Sequence, residues 1–165
     1  MKENKICKFF SYAIGSVMGI GYCPVASGTA GSLVTLPLAF VATYYYGFWG
    51  IICFSVVVFV IGVWACKEIL KYTKHDPSLI VIDEVVGQLL TFGLVAETLI
   101  ANSDVYWVYL LGFVLFRIFD ITKPQPAKWA DTKLLNAWGV MLDDVFAGVY
   151  AAICLYLIYI FVNIL

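Results

Sequence analysis

LVTLPLAFVATYYYGFWGIICFSVVVFVIGVWAC, residues 33–66, contains no charged side chain. A spanning helix needs about 20 apolar residues, so this run is too long for one comfortable pass. A turn at Tyr46–Gly47 would divide it into two passes of about 16 residues, thin enough to be re-entrant. The remaining sequence points the same way. Of 165 residues, 63% are hydrophobic and only 13% charged, against roughly 45–50% and about 25% in a soluble domain. The expected fold class is all-α: an integral membrane helical bundle of about four to five membrane-embedded helices plus an N-terminal amphipathic helix, forming one domain over residues 1–165.

The basic residues mark topology. They fall in three clusters: Lys2, Lys5 and Lys8; Lys67, Lys71 and Lys74; then Arg117, Lys123, Lys128 and Lys133. The positive-inside rule places all three on the cytoplasmic side. Each intervening segment must then cross and return, giving five segments and a non-cytoplasmic C-terminus. Two helical runs, about 79–101 and 105–121, flank a turn at Asn102-Ser103-Asp104, and His75-Asp76-Pro77-Ser78 reads as the start of the first. Residues 145–165 form the cleanest spanning candidate. The net charge of −1 argues against a nucleic-acid partner. Five scattered cysteines form neither a disulfide framework nor a zinc site. The N-terminus lacks the apolar core and cleavage site of a removable signal.

Two acidic pairs stand out in this apolar setting: Val81-Ile82-Asp83-Glu84-Val85-Val86-Gly87 and Met141-Leu142-Asp143-Asp144-Val145-Phe146-Ala147-Gly148. Burying an uncompensated carboxylate costs several kcal/mol or more, so four of them demand a strong counter-charge. A divalent metal is the simplest one. Asp83–Glu84 is expected well inside the first turns of its helix, six residues separating Asp76 from Asp83, with Glu84, Gln88 and Thr91 on one polar stripe. Asp143–Asp144 is expected just before the last helix. Gly87 would allow close approach beside Asp83, and Gly139 and Gly148 bracket the second pair.

Three further groups carry charge or donors. Arg117, the only arginine, stands three residues before Asp120 at the end of an apolar run, with Lys123 close behind and Pro124 ending the helix. The two cations read as an anion clamp. Gly28-Thr29-Ala30-Gly31-Ser32 runs into a long helix and offers amides and hydroxyls to an anion. Trp129 and Asp131 are expected in a short polar loop. As a phosphatase, the chain would lack the second histidine of a phosphohistidine relay, the Cys-x5-Arg loop and the DxDx[TV] pattern. Attack by water, or by a hydroxyl such as Thr29 or Ser32, would remain, with oxygen ligands favouring Mg²⁺.

In these five blocks, in order and spacing from about residue 15 to 160, the chain resembles the phosphatidylglycerophosphatase A family of bacterial membrane enzymes. The resemblance implies a Mg²⁺-dependent phosphatase of the inner membrane, with its site facing the cytoplasm, that converts phosphatidylglycerophosphate to phosphatidylglycerol and inorganic phosphate. Asp83, Glu84, Asp143 and Asp144 would be catalytic and metal-binding, with Asp120 in the catalytic set. Arg117, Lys123, Thr29, Gly31, Ser32 and Asp131 would meet the substrate. The chain departs from the family pattern at Ser27, where a proline is usual, and at Leu135-Asn136-Ala137, where His-Gly-Gly is usual. The alternatives are a small membrane transporter or inactive scaffold using the carboxylates for ion binding, and a head-group transferase, whose DGxxAR pattern is absent.

Overall fold

The computed structural model describes residues 5–73, 77–101 and 106–164. Lys2, Lys74, the His75–Asp76 helix start and the Asn102–Asp104 turn lie outside them. The described residues contain no strand. Seven α-helices follow in order: α1 (Lys5–Gly15), α2 (Ser27–Ile69), α3 (Ile82–Thr91), α4 (Ala96–Ala101), α5 (Tyr106–Thr122), α6 (Ala127–Lys133) and α7 (Ala137–Ile164). Single 3₁₀ turns occupy Ile20–Tyr22 and Gly93–Val95.

α2 is a hairpin. At Gly47 the backbone leaves the helix (φ 58°, ψ −149°), a conformation that costs glycine little and other residues much. Leu38 and Val57 then line one apolar groove across the two arms. Both ends of α2 return to the same end of the molecule: Gly31 abuts Val81, while Ala65 and Ile69 abut Gly15, whose carbonyl accepts the Val81 amide. The arms run to residues 27 and 69, beyond the 33–66 stretch, so each is about 30 Å long at 1.5 Å per residue rather than thin. Glu97 from α4 closes the tip, its carboxylate accepting the Phe48 amide at 3.0 Å.

Among the described residues, two helices, α2 and α7, are long and apolar enough to cross a membrane. Only 22% and 28% of their most apolar windows are buried. They are therefore not core helices of a water-soluble globule, and their outward apolar faces suit lipid. α5, with 17 residues, and α3, with 10, do not meet the same length criterion.

α3 is the hub, packed chiefly on α2 and α7 and more lightly on α5. Nearly all of it is buried. One core cluster gathers Leu89, Phe92, Val95, Ile51 and Leu155 toward the hairpin tip; a second gathers Val86, Ile82, Cys66, Ile69 and Met141 toward the opposite end. Hydroxyls inside these apolar helices bond to the carbonyl one turn back, as in Thr35 to Gly31, Thr43 to Ala39 and Thr91 to Gly87.

Candidate active site

Both acidic pairs stand at different helix positions from those expected. Val81 adopts φ −141° and ψ 9° and spends its amide on Gly15, so α3 begins only at Ile82. Asp83 and Glu84 are thus in the first turn, where the positive end of the helix dipole favours a carboxylate. α7 begins at Ala137, not after the aspartates. The Asn136 side-chain oxygen accepts the amides of Trp138 (2.9 Å) and Gly139 (3.3 Å), a regular N-cap. Asp143 and Asp144 therefore sit two turns inside the helix, where no cap role is available to them.

Glycines bring the pairs together. A Cβ on Gly148 would lie 2.4 Å from the Gly87 carbonyl oxygen, and one on Gly87 would lie 2.6 Å from the Asp144 carbonyl oxygen. Only backbone against backbone fits there. Each glycine stands one turn after an acid, so the crossing of α3 and α7 sets Asp83 and Glu84 beside Asp144. Ligand atoms of these three carboxylates lie within 4.8 Å of one another.

The carboxylates line a cavity of about 370 Å³, together with Arg117, Asp120, Lys123, Asp143, Ser27 and Gly28. Five acids and two bases among those residues leave three negative charges in excess. Arg117 pairs with Asp120 at 2.8 Å. Lys123 pairs with Asp143 at 2.7 Å and with Asp131 at 2.8 Å. Glu84 and Asp144 take no part in these ion pairs. Asp83 and Asp144 are 8% and 3% exposed, and Glu84 Oε2 and Asp144 Oδ2 are buried without a hydrogen-bond partner. Oxygen donors, excess negative charge and orphaned lone pairs fit a hard divalent cation.

Lys123 carries two signs of a constrained role. Its backbone is left-handed (φ 42°) immediately before Pro124, a conformation costing on the order of 1–2 kcal/mol in a non-glycine residue. Burial alone would depress its ammonium pKa, but the hydrogen bonds to Asp131 and Asp143, with their charges, outweigh it and raise the pKa above the ordinary lysine value. Lys123 is a fixed cation at any neutral pH.

The remaining expected residues are distributed unevenly. Ser32 is buried, donates to the Gly28 carbonyl at 2.9 Å, and accepts from Arg117 at 3.5 Å. Gly31 packs against Val81, and Thr29 lines a separate apolar groove. It is Ser27 and Gly28 that reach the cavity: a Cβ on Gly28 would fall 2.2 Å from Glu84 Oε1 and 3.1 Å from Arg117 Nη1. Ser27, at the usual proline position, donates to the Ser78 carbonyl at 2.8 Å and ties α2 to the segment before α3. Asp131 lies on helix α6 rather than in a loop, and holds Lys123 from outside the cavity wall. Cys23, Pro24, Ala26, Ser78 and Ile80 also line the cavity; nothing in their sequence context marks them.

The phosphatidylglycerophosphatase A family matches residues 13–159, which include every residue of this cavity. The chain belongs to the phosphatidylglycerophosphatase A family. Two similar bacterial proteins carry the same name: one from Escherichia coli, 37% identical over 85% of this chain and 78% of its own length, and one from Haemophilus influenzae, 36% identical over 96% and 97%. A protein from Bacteroides thetaiotaomicron, 35% identical over 88% of this chain and 91% of its own, is named a putative phosphatidylinositol-3-phosphatase. No solved structure matches the chain. Membership makes this phosphatidylglycerophosphatase A relative a phosphatase.

Proposed function

We propose that the chain is a Mg²⁺-dependent lipid phosphatase that hydrolyses phosphatidylglycerophosphate to phosphatidylglycerol and inorganic phosphate. It would act as a multi-pass protein of the bacterial inner membrane, with the cavity open to the cytoplasm. The observation that carries this reading is the convergence of Asp83, Glu84 and Asp144, with orphaned buried oxygens, opposite two cations in one cavity. The names of two relatives support the substrate. Lys67, in the last turn of α2, and Lys71 just beyond it mark the end of the arm that returns to the cavity, and Lys123 lies at the cavity itself; the positive-inside rule then favours a cytoplasmic opening.

Asp83, Glu84 and Asp144 would hold the ion, which when bound supplies charge neutralisation and a more acidic water. Lys123 and Arg117 bind the phosphate dianion, and Asp120 orients the Arg117 guanidinium. Because Lys123 stays protonated, it balances charge and does not donate a proton. The N-terminus of α2 ends in the cavity and adds the positive end of its dipole. Water adds to phosphorus, the phosphorus–oxygen bond to the glycerol breaks, and the leaving oxygen takes up a proton. A cavity carboxylate accepts the proton lost by the water and passes it to the leaving oxygen, so the step needs no other proton donor.

Purified protein in detergent micelles should release phosphate from phosphatidylglycerophosphate, lose this with EDTA and regain it with Mg²⁺. Asp83→Asn and Asp144→Asn should each cut the rate by about 100-fold or more, the scale for losing a group that stabilises transition-state charge. Wild-type rates in both variants would sink the carboxylate-cluster reading. Activity confined to phosphatidylinositol 3-phosphate would replace the substrate, and no phosphate release from any lipid would favour a transporter or scaffold.

A further inference from the structure

Arg117 is shared by two cavities. One face lines the carboxylate cavity; the other closes the end of an apolar groove of about 390 Å³ with Thr29, Phe113, Val114, Ile118, Ile121 and Thr122. On α5 the groove residues recur at 113–114, 117–118 and 121–122, a continuous helical face. Thr29 in the first turn of α2 forms the opposite wall. Val114, Ile118 and Ile121 are 42%, 49% and 72% exposed, so the groove opens on the outer surface rather than into the core. Other apolar depressions among the described residues run across the arms of α2 and around Phe59 and Leu142. Neither includes a cavity residue.

We infer that this groove holds the glycerol-proximal part of one acyl chain of the lipid substrate, with Arg117 at the junction of tail and head group. The inference rests on the lipid-phosphatase reading and adds where the tail lies. Only an amphiphile needs both compartments at once, an anion held by Arg117 and Lys123 and an apolar chain continuing past the same arginine. The buried Arg117 Nε has no hydrogen-bond partner, leaving a donor for an oxygen at that junction. Thr29, which does not reach the carboxylates, gains a place as a hydroxyl on the groove wall. The lipid then enters sideways from the bilayer between α2 and α5, and its tail never leaves the apolar phase.

The test uses the full chain in nanodiscs with a diacyl lipid phosphate carrying a diazirine near the carboxyl end of one acyl chain. A diacylglycerol with the same diazirine is the control. Mapped by mass spectrometry, the lipid phosphate should label Phe113–Thr122 at least tenfold over residues 38–57, while diacylglycerol should show no such preference. Ile118→Trp, a change at an exposed position, should abolish the preference and raise KM for the long-chain substrate about tenfold with kcat little changed. Equal labelling of the two regions by the lipid phosphate, or an Ile118→Trp variant with unaltered labelling, would overturn the inference. Preferential labelling of α5 in a protein that releases no phosphate would keep the groove and remove the phosphatase reading.

Discussion

Replacing Gly148 with alanine tests the helix crossing on which the site depends. The new Cβ would stand 2.4 Å from the Gly87 carbonyl oxygen, 2.9 Å from its Cα and 3.0 Å from its carbonyl carbon, where ordinary contact begins near 3.4 Å. All three atoms are backbone, so no rotamer change relieves the overlap and the helices must part by about 1 Å. Overpacking of this kind costs about 1–3 kcal/mol, offset by up to about 1 kcal/mol from the better helix propensity of alanine. The net stability change is therefore up to about 2 kcal/mol, while the catalytic change is larger. Asp144 moves with α7, Asp83 and Glu84 stay with α3, and a misplacement of about 1 Å costs on the order of 100-fold in rate. Phosphate release and thermal melting in the same detergent would separate the two effects. Gly93→Ala, whose Cβ would meet only Ile51 at 3.8 Å, is the control and should match wild type in both. A Gly148→Ala enzyme with the wild-type rate would refute the claim that this crossing sets the carboxylate spacing.

Lys123→Met leaves Asp143 and Asp131 without their cation, and losing hydrogen bonds to a charged group at a half-buried position costs about 1.5–3 kcal/mol; a fall in melting temperature together with loss of activity is expected. The sign of its pKa shift gives a second test. A raised folded pKa means that the stabilisation is fully present below the unfolded value of 10.5 and is lost only as pH rises through the still higher folded value. The basic limb of the pH–rate profile should therefore be the same in wild type and in any active Lys123→Arg enzyme, and its disappearance in the arginine variant would show that Lys123 titrates near neutrality. Asn136→Ala should lower stability by about 1 kcal/mol through the lost α7 cap, with activity per folded molecule unchanged. A selective loss of turnover would instead give the Leu135-Asn136-Ala137 segment a part in the chemistry.

The apolar character and the helical class were readable because 34 uncharged residues in a row leave the chain few other folds. The turn at Gly47 was readable too, since a glycine in the middle of such a run is where reversal is cheapest. Helix starts were not. Val81 ends the extended segment because its amide finds Gly15, a partner 66 positions earlier, and Ala137 starts α7 because Asn136 caps it inside a stretch with little periodicity. The acids were singled out by their apolar neighbours, yet their grouping depends on a glycine crossing between helices distant in sequence. That is why Asp143 looked equivalent to Asp144 and instead faces Lys123. Within Gly28–Ser32 the motif was visible, but only tertiary packing decides that Gly28 reaches the cavity, Gly31 meets Val81 and Thr29 points elsewhere.

The Glu97–Phe48 bond can form only late in synthesis. Phe48 is made 49 residues before the carboxylate that accepts its amide. During synthesis the α2 hairpin is complete while its tip still relies on solvent. Only when α4 has emerged and docked does the tip exchange that solvent for a protein partner. α3, which carries the first acidic pair, lies between hairpin and clasp in the chain, so closing the far end of α2 also secures the segment on which Asp83 and Glu84 are delivered.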